Sequence, residues 1–180
     1  LITEHLIKQL SVLINMPLSL YFIRHGIAQE RSEDIADSDR ALTVEGQKKT
    51  REVAKRLHEL GLRFDLIQTS PLVRAKQTAD IFGDSGFDCP IEISNELSPE
   101  GSFDIWLKWF LKWQKTGKTS LGLVGHEPDL SSWAEFLLWG EVRGVLILKK
   151  AGVIGLAVPE AEHPVGNSLM FFLVQPKLLI

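Results

Sequence analysis

Cysteine is almost missing from this chain: Cys89 stands alone among 180 residues. One thiol excludes an internal disulfide and any Cys-rich metal knuckle, so a reducing cytoplasm is the expected compartment. Surplus charge is missing too. The net charge of −3 supplies no global basic field, so nucleic acid is not an expected partner and any positive site must be local. No apolar run is long enough to span a membrane. The first fifteen residues, "LITEHLIKQLSVLIN", are interrupted by Lys8, Gln9 and Asn15, and no small-residue cleavage site follows. They read as a short extra helix or an upstream extension, with Met16 as a start and residues 16–180 as a single domain. What is present is ordinary globular material, 44% hydrophobic and 24% charged, enough to bury a sizeable core. No internal repeat or low-complexity tract occurs.

Strand and helix patterns alternate along the chain. Leu18–Ile23 is a short apolar run ending in a glycine turn, which predicts a strand. Residues 26–42 are polar and loop-like, a long connection of the kind compact domains keep for function. Thr43–Leu60 is the clearest helix: Thr43 caps it, Val53, Leu57 and Leu60 share a face, and Gly61 ends it. Glu52 and Arg56 are spaced as an i,i+4 pair on its wet side. Asp65–Thr69 predicts a second strand. Ser70-Pro71 then predicts an N-cap and a first-turn proline for a helix through Leu72, Ala75, Ala79 and Phe82. A short strand over Pro90–Ser94, a Trp-rich helix over 103–116, a strand in "TSLGLVG" and a helix over Pro128–Trp139 follow. The runs "GVIGLAV" and "SLMFFLV" read as a closing hairpin. This order predicts a three-layer α/β fold: a mostly parallel sheet, helices on both faces, and an antiparallel C-terminal hairpin.

In such sheets ligands bind outside the carboxyl ends of the strands. The first strand ends in Arg24-His25-Gly26 within "LYFIRHGIAQ", which is either a turn with two solvated residues or one wall of an anion site. The second ends in Ser70-Pro71, with Arg74 in the first turn beyond. The third leads to Glu96, and the fourth ends in Gly125-His126-Glu127-Pro128. Taken singly, Arg74 is a solvated helix arginine and His126 a satisfied loop histidine. Together they describe a phosphate pocket, in which a phosphate or sulfate ion would sit. With no metal or other cofactor expected, guanidinium forks must supply the positive charge for phosphoryl transfer. A neutral imidazole is a competent nucleophile near pH 7, provided its other ring nitrogen is held by an acceptor such as a backbone carbonyl. Gly26, lacking a Cβ, would let phosphate and chain come close.

Other features carry less. His58 and His163 read as structural, and His5 falls in the N-terminal stretch. "TGKTS" resembles the tail of a phosphate-binding loop, but the earlier glycine it requires would fall at Lys112, and a strand rather than a helix follows. Trp106, Trp109 and Trp113 at helical spacing read as core, with a partner-binding face as the lesser alternative.

These motifs resemble the histidine phosphatase superfamily, and within it the small SixA-like phosphohistidine phosphatases. "YFIRHGIA", "DRALTVEG", "SPLVRAKQTA", "ELSPEG", "LGLVGHEPDLS" and "QPKLL" carry the resemblance, from about residue 18 onward. It implies a phosphoglycerate mutase-like fold and His25 as a nucleophile phosphorylated on nitrogen during turnover. It further implies that Arg24, Arg74 and His126 hold the phosphoryl group, with Gly26, Ser70 and Arg40 in supporting contact. Glu96 is the implied proton-transfer group, and Arg40 serves either the pocket edge or loop anchorage. Mutase-like relatives read "RHGxSxxN", whereas Ala28 and Arg31 stand at the Ser and Asn positions here. The shorter chain implies an open pocket and, as partner, a phosphohistidine-bearing phosphotransfer protein in signal transduction. A small phosphate ester, or phosphoryl binding without turnover, are the alternatives.

Overall fold

The computed structural model describes residues 18–160 and 162–180, so the 1–15 extension, Met16 and His5 lie outside the described residues. Six strands form one sheet: β1 (Leu18–Arg24), β2 (Leu66–Thr69), β3 (Ile91–Ile93), β4 (Ser120–Gly125), β5 (Val153–Val158) and β6 (Leu169–Val174). Their order is β3-β2-β4-β1-β5-β6. The first four run parallel, while β5 pairs antiparallel with both β1 and β6. Helices α1 (Val44–Glu59), α2 (Val73–Phe82), α3 (Phe103–Trp113) and α4 (Asp129–Trp139) complete the three layers.

The period-two alternation of β1 sorts its side chains between two cores. Leu18, Leu20 and Phe22 face α3 and α4, packing with Trp106, Phe110, Leu130 and Trp133. Tyr21 and Ile23 face α1 and α2, packing with Val53, Leu57, Ala79 and Phe82. A strand buried on both sides needs apolar residues at every position, which is why "LSLYFI" reads as a nearly continuous run. Trp106 and Trp113 are core, and the Trp106 indole N–H donates to Gln68 Oε1 at 3.1 Å. No described helix is long and apolar enough to cross a membrane.

Helix ends follow the sequence unevenly. Thr43 caps α1, its Oγ1 accepting from Gly46 N at 2.9 Å, and Gly61 beyond takes φ +94°. The expected Ser70 cap on α2 is not formed. That helix starts two residues later, with Leu72 at its N-cap, because Ser70 is fully buried at the end of β2, where its N–H still donates to Val124 O. Arg56 pairs with Glu59 at 3.2 Å rather than with Glu52.

Candidate active site

Parallel pairing of β1 and β4 sets Arg24 beside Gly125, and the next residue continues the register, His25 N donating to Gly125 O at 3.1 Å. His25 and His126 thus leave adjacent strand ends, with ring centroids 5.1 Å apart. Both are buried, 7% and 4% exposed. The His25 Nδ1 lies 2.7 Å from Gly26 O. A carbonyl can only accept, so Nδ1 carries the proton and Nε2 keeps its lone pair. His126 Nε2 lies 2.8 Å from Ser70 Oγ.

Burial keeps both rings neutral. It lowers His25 to about 3 against the bond to Gly26, with further depression from His126, Arg74 and Arg24. It lowers His126 to about 4, assisted chiefly by Arg74. Loss of ring charge follows from removing a cationic group from water among fixed positive neighbours.

Two guanidinium groups flank the pair. Arg24 Nη1 donates to Leu148 O at 2.8 Å. Arg74, 3% exposed in the first turn of α2, donates through Nη1 to Asp37 O at 2.5 Å and through Nη2 to Asp37 Oδ2 at 2.9 Å. The Nε of each is buried with no hydrogen-bond partner in the protein. An orphaned buried donor is costly, so a pair of them beside two imidazoles describes a cradle for an anion.

The remaining expected residues are spread more widely. Ser70 supports His126. Packing constrains Gly26: a Cβ there would run into Thr50 Oγ1 on α1, while Gly26 N donates to Thr78 Oγ1 at 3.0 Å. Arg40 anchors the long loop, donating to Gln29 O at 2.6 Å and pairing with Asp37 at 2.8 Å. Glu96 accepts from Ser94 Oγ at 2.9 Å and lines a separate cavity of about 320 Å³ with Gln68, Trp106 and Trp109. No hydrogen bond links it to either histidine.

Three acids have positions that sequence reasoning did not supply. Asp37 bridges Arg74 and Arg40; burial pushes its carboxyl up, but the two arginines prevail and hold it at about 2. Glu127 caps α4 from just after His126, accepting from Ser131 N at 3.1 Å and Oγ at 2.7 Å, and burial raises its carboxyl. Glu135, 1% exposed, accepts four backbone N–H bonds of 2.6–2.7 Å from residues 143–146. It thereby organises the segment that brings Leu148 O to Arg24. A lone carboxylate inside "WAEFLLW" was the available signal. No group of three or more His, Cys, Asp or Glu suited to a metal ion occurs among the described residues.

A doubly layered sheet with an Arg-His-Gly strand end and a second histidine on the adjacent strand defines a phosphoryl-handling α/β protein. The chain belongs to the histidine phosphatase superfamily (branch 1), whose model matches residues 20–116. It is 42% identical over 164 residues to an uncharacterized protein of Picosynechococcus sp., covering 91% of this chain and 99% of that one. Among solved structures it is similar to the protein histidine phosphatase SixA complexed with tungstate, at TM-score 0.80 and 23% identity, covering 91% of this chain and 100% of that one. It is also similar to a putative α-ribazole-5'-P phosphatase from Escherichia coli, at TM-score 0.66 and 17% identity, covering 88% and 98%. The mostly parallel sheet closed by antiparallel strands is shared with these folds.

Proposed function

We propose that this protein is a phosphatase that hydrolyses phosphohistidine on a phosphotransfer protein through a phosphorylated His25. The observation that carries the reading is a buried imidazole with one nitrogen locked by Gly26 O, set beside two guanidinium groups with unpartnered Nε donors. SixA, the neighbour with the highest TM-score given above, is described as a protein histidine phosphatase. The lone Cys89 suits a reducing cytoplasm, where we assign the enzyme.

The steps follow from the groups present. The His25 Nε2 lone pair attacks phosphorus in line, the substrate P–N bond breaks, and its electron pair stays on the departing imidazole. When that imidazole carries a proton on its other nitrogen it leaves neutral, and no general acid is required at the leaving atom. Arg24, Arg74 and His126 hold the equatorial oxygens as charge spreads over them. Water then attacks the phosphorus on His25. The new P–N bond breaks, and the ring departs neutral because Nδ1 has kept its proton on Gly26 O. The extra water proton leaves with the phosphate product and passes to solvent. Glu96 is not required in either step, and Ser70 acts by steadying His126.

A second reading keeps the chemistry and changes the leaving group to an alcohol, as in small phosphate esters. It is favoured by the likeness to a described α-ribazole-5'-P phosphatase. An alkoxide leaves poorly without a proton, so that reading needs a carboxylic acid, and Glu127 with its raised carboxyl is the nearest in sequence to the histidines. Phosphoryl binding without turnover is the third alternative.

The test supplies a phosphohistidine-bearing protein, free phosphohistidine and a panel of phosphate esters, without added metal. The wild type is expected to favour phosphohistidine and to trap acid-labile phosphate on nitrogen. His25→Ala is expected to trap none. Equal labelling of that variant overturns the mechanism, a preference for esters selects the second reading, and anion binding without phosphate release selects the third.

A further inference from the structure

Beside Arg24 opens a cleft of about 730 Å³ whose lining carries Lys49, Lys149, Lys150 and Lys177 and no Asp or Glu side chain. Five cations around one opening is a strong local departure in a chain with net charge −3. We propose that this cleft is a docking site for an acidic face of the phosphohistidine-bearing protein, engaged while His25 takes its phosphoryl group. The proposal rests on the phosphohistidine reading above and adds how such a substrate is recognised.

The lysines come from three separate segments: Lys49 from α1, Lys149 and Lys150 from the segment between α4 and β5, and Lys177 from the stretch after β6. Lys49 is paired with Glu45 at 2.6 Å, whereas Lys149, Lys150 and Lys177 enter no ion pair among the described residues. All three of these are exposed. The distance of Lys149 and Lys150 from the phosphoryl site is fixed by backbone. Leu148 O accepts from Arg24, Ala151 N donates to Arg24 O at 3.0 Å, and Gly152 N donates to Lys149 O at 2.7 Å. Glu135 secures the start of the same segment. A partner whose phosphohistidine reaches His25 therefore meets these two lysines at a set offset.

The residue types choose the occupant. A small polyphosphate is gripped best by planar arginine forks, whereas lysine is a hydrated point charge on a flexible stem. Several such charges at an open rim suit carboxylates spread over a protein face, where they raise the rate of encounter and exclude basic partners. No aromatic side chain lines the cleft, so a nucleotide base would find nothing to stack on. Ile27 and Pro176 give a short apolar floor against which a helix or loop can rest.

The experiment compares two phosphohistidine peptides of equal length, one with glutamates flanking the histidine and one with lysines. At low ionic strength the wild type is expected to show kcat/KM about tenfold or more higher for the glutamate peptide. The preference should shrink toward about 1 M salt, where the screening length is roughly 3 Å. In K149E/K150E/K177E it should fall below about twofold. The charge-matched control K108E/K112E/K115E, outside the cleft, should keep it. The same ratio in both triple variants, or no preference in the wild type, overturns the docking site.

Anisotropy with the labelled, unphosphorylated glutamate peptide reads the cleft without turnover. Binding is expected to weaken in the cleft triple and not in the control. If this difference appears but no phosphohistidine substrate is hydrolysed, the docking site stands and the phosphohistidine reading fails. If hydrolysis is normal and both triples bind alike, the docking site fails. Tighter binding of inorganic tripolyphosphate than of the peptide would assign the cleft to a small polyanion and overturn the proposal.

Discussion

Arg24 and Arg74 face the same pair of histidines, yet they are held in opposite ways. Arg24 leans on a neutral carbonyl, Leu148 O, in a segment organised by the buried Glu135. Arg74 is gripped by Asp37, a carboxylate whose side chain is 39% exposed and which also pairs with Arg40 and Arg31. Arg24 has a neutral hydrogen-bond partner, so of the nearby acids only Glu127, with no hydrogen bond to it, draws on its charge before a phosphoryl group arrives. A carboxylate partner spends part of the Arg74 field before any substrate arrives. On the proposed function, one wall is built for fixed position and the other for exchange, since phosphate entering beside Arg74 would compete with Asp37.

The largest expected effect tests whether both walls matter. Arg24→Ala and Arg74→Ala should each lower kcat/KM by roughly 10²–10³-fold, the scale of losing one preorganised charge-stabilising donor. Steady-state kinetics on the preferred substrate decides it, and a loss under about tenfold in either would remove that arginine from the site.

The next test separates the walls by what stands behind them. Glu135→Gln replaces a carboxylate that accepts four N–H bonds with an amide that offers one acceptor oxygen. Leaving part-buried N–H groups unpaired should cost about 1–3 kcal/mol of stability, read from denaturant unfolding, and should also lower kcat as Leu148 drifts from Arg24. Asp37→Asn should cost less, because the Asp37 side chain is 39% exposed and screened by solvent although its partner Arg74 is buried. It should tighten inhibition by inorganic phosphate, since the competing charge is gone while an oxygen remains for Arg74. Weaker phosphate inhibition in Asp37→Asn would show that Asp37 orients Arg74 rather than competing for it.

This asymmetry also marks what the sequence discloses. The strand ends carrying Arg24, His25, Arg74 and His126 are readable because the alternation of strands and helices converts chain position into place on one rim. The α2 start was misjudged because Ser-Pro at a strand end is equally good as buried strand terminus, and tertiary burial of Ser70 decided the matter. Gly26 is legible as a close-approach position for phosphate, while the packing constraint on it comes from Thr50, on a helix that begins eighteen residues later, and is not legible. The supports of the arginines were illegible. Leu148 acts through its carbonyl, which every residue possesses, and Asp37 is one of several acids in a polar loop. Glu135 left a faint trace, a carboxylate inside an apolar helix, that periodicity alone reads as a wet-side residue.

The smallest expected effect is on proton affinity, and it sharpens the comparison at the histidines themselves. Both rings have depressed values in the folded protein, so each contributes stability that is present above the ordinary histidine value of about 6.5. That contribution is lost as pH falls toward about 4 for His126 and about 3 for His25. Nitrogen-15 spectra at pH 5 should therefore show both rings neutral, with the His25 proton on Nδ1; titration near 6.5 would contradict the buried, cation-flanked site. After burial, Arg74 is the leading influence lowering His126, with Asp37 opposing it, whereas His25 feels His126 before Arg74. Removing the Arg74 guanidinium takes away a depressing charge and leaves Asp37 opposed by Arg40 and Arg31 alone. Arg74→Ala should accordingly raise His126 more than His25. Equal shifts at both rings would mean that the two walls share one field rather than acting through separate partners.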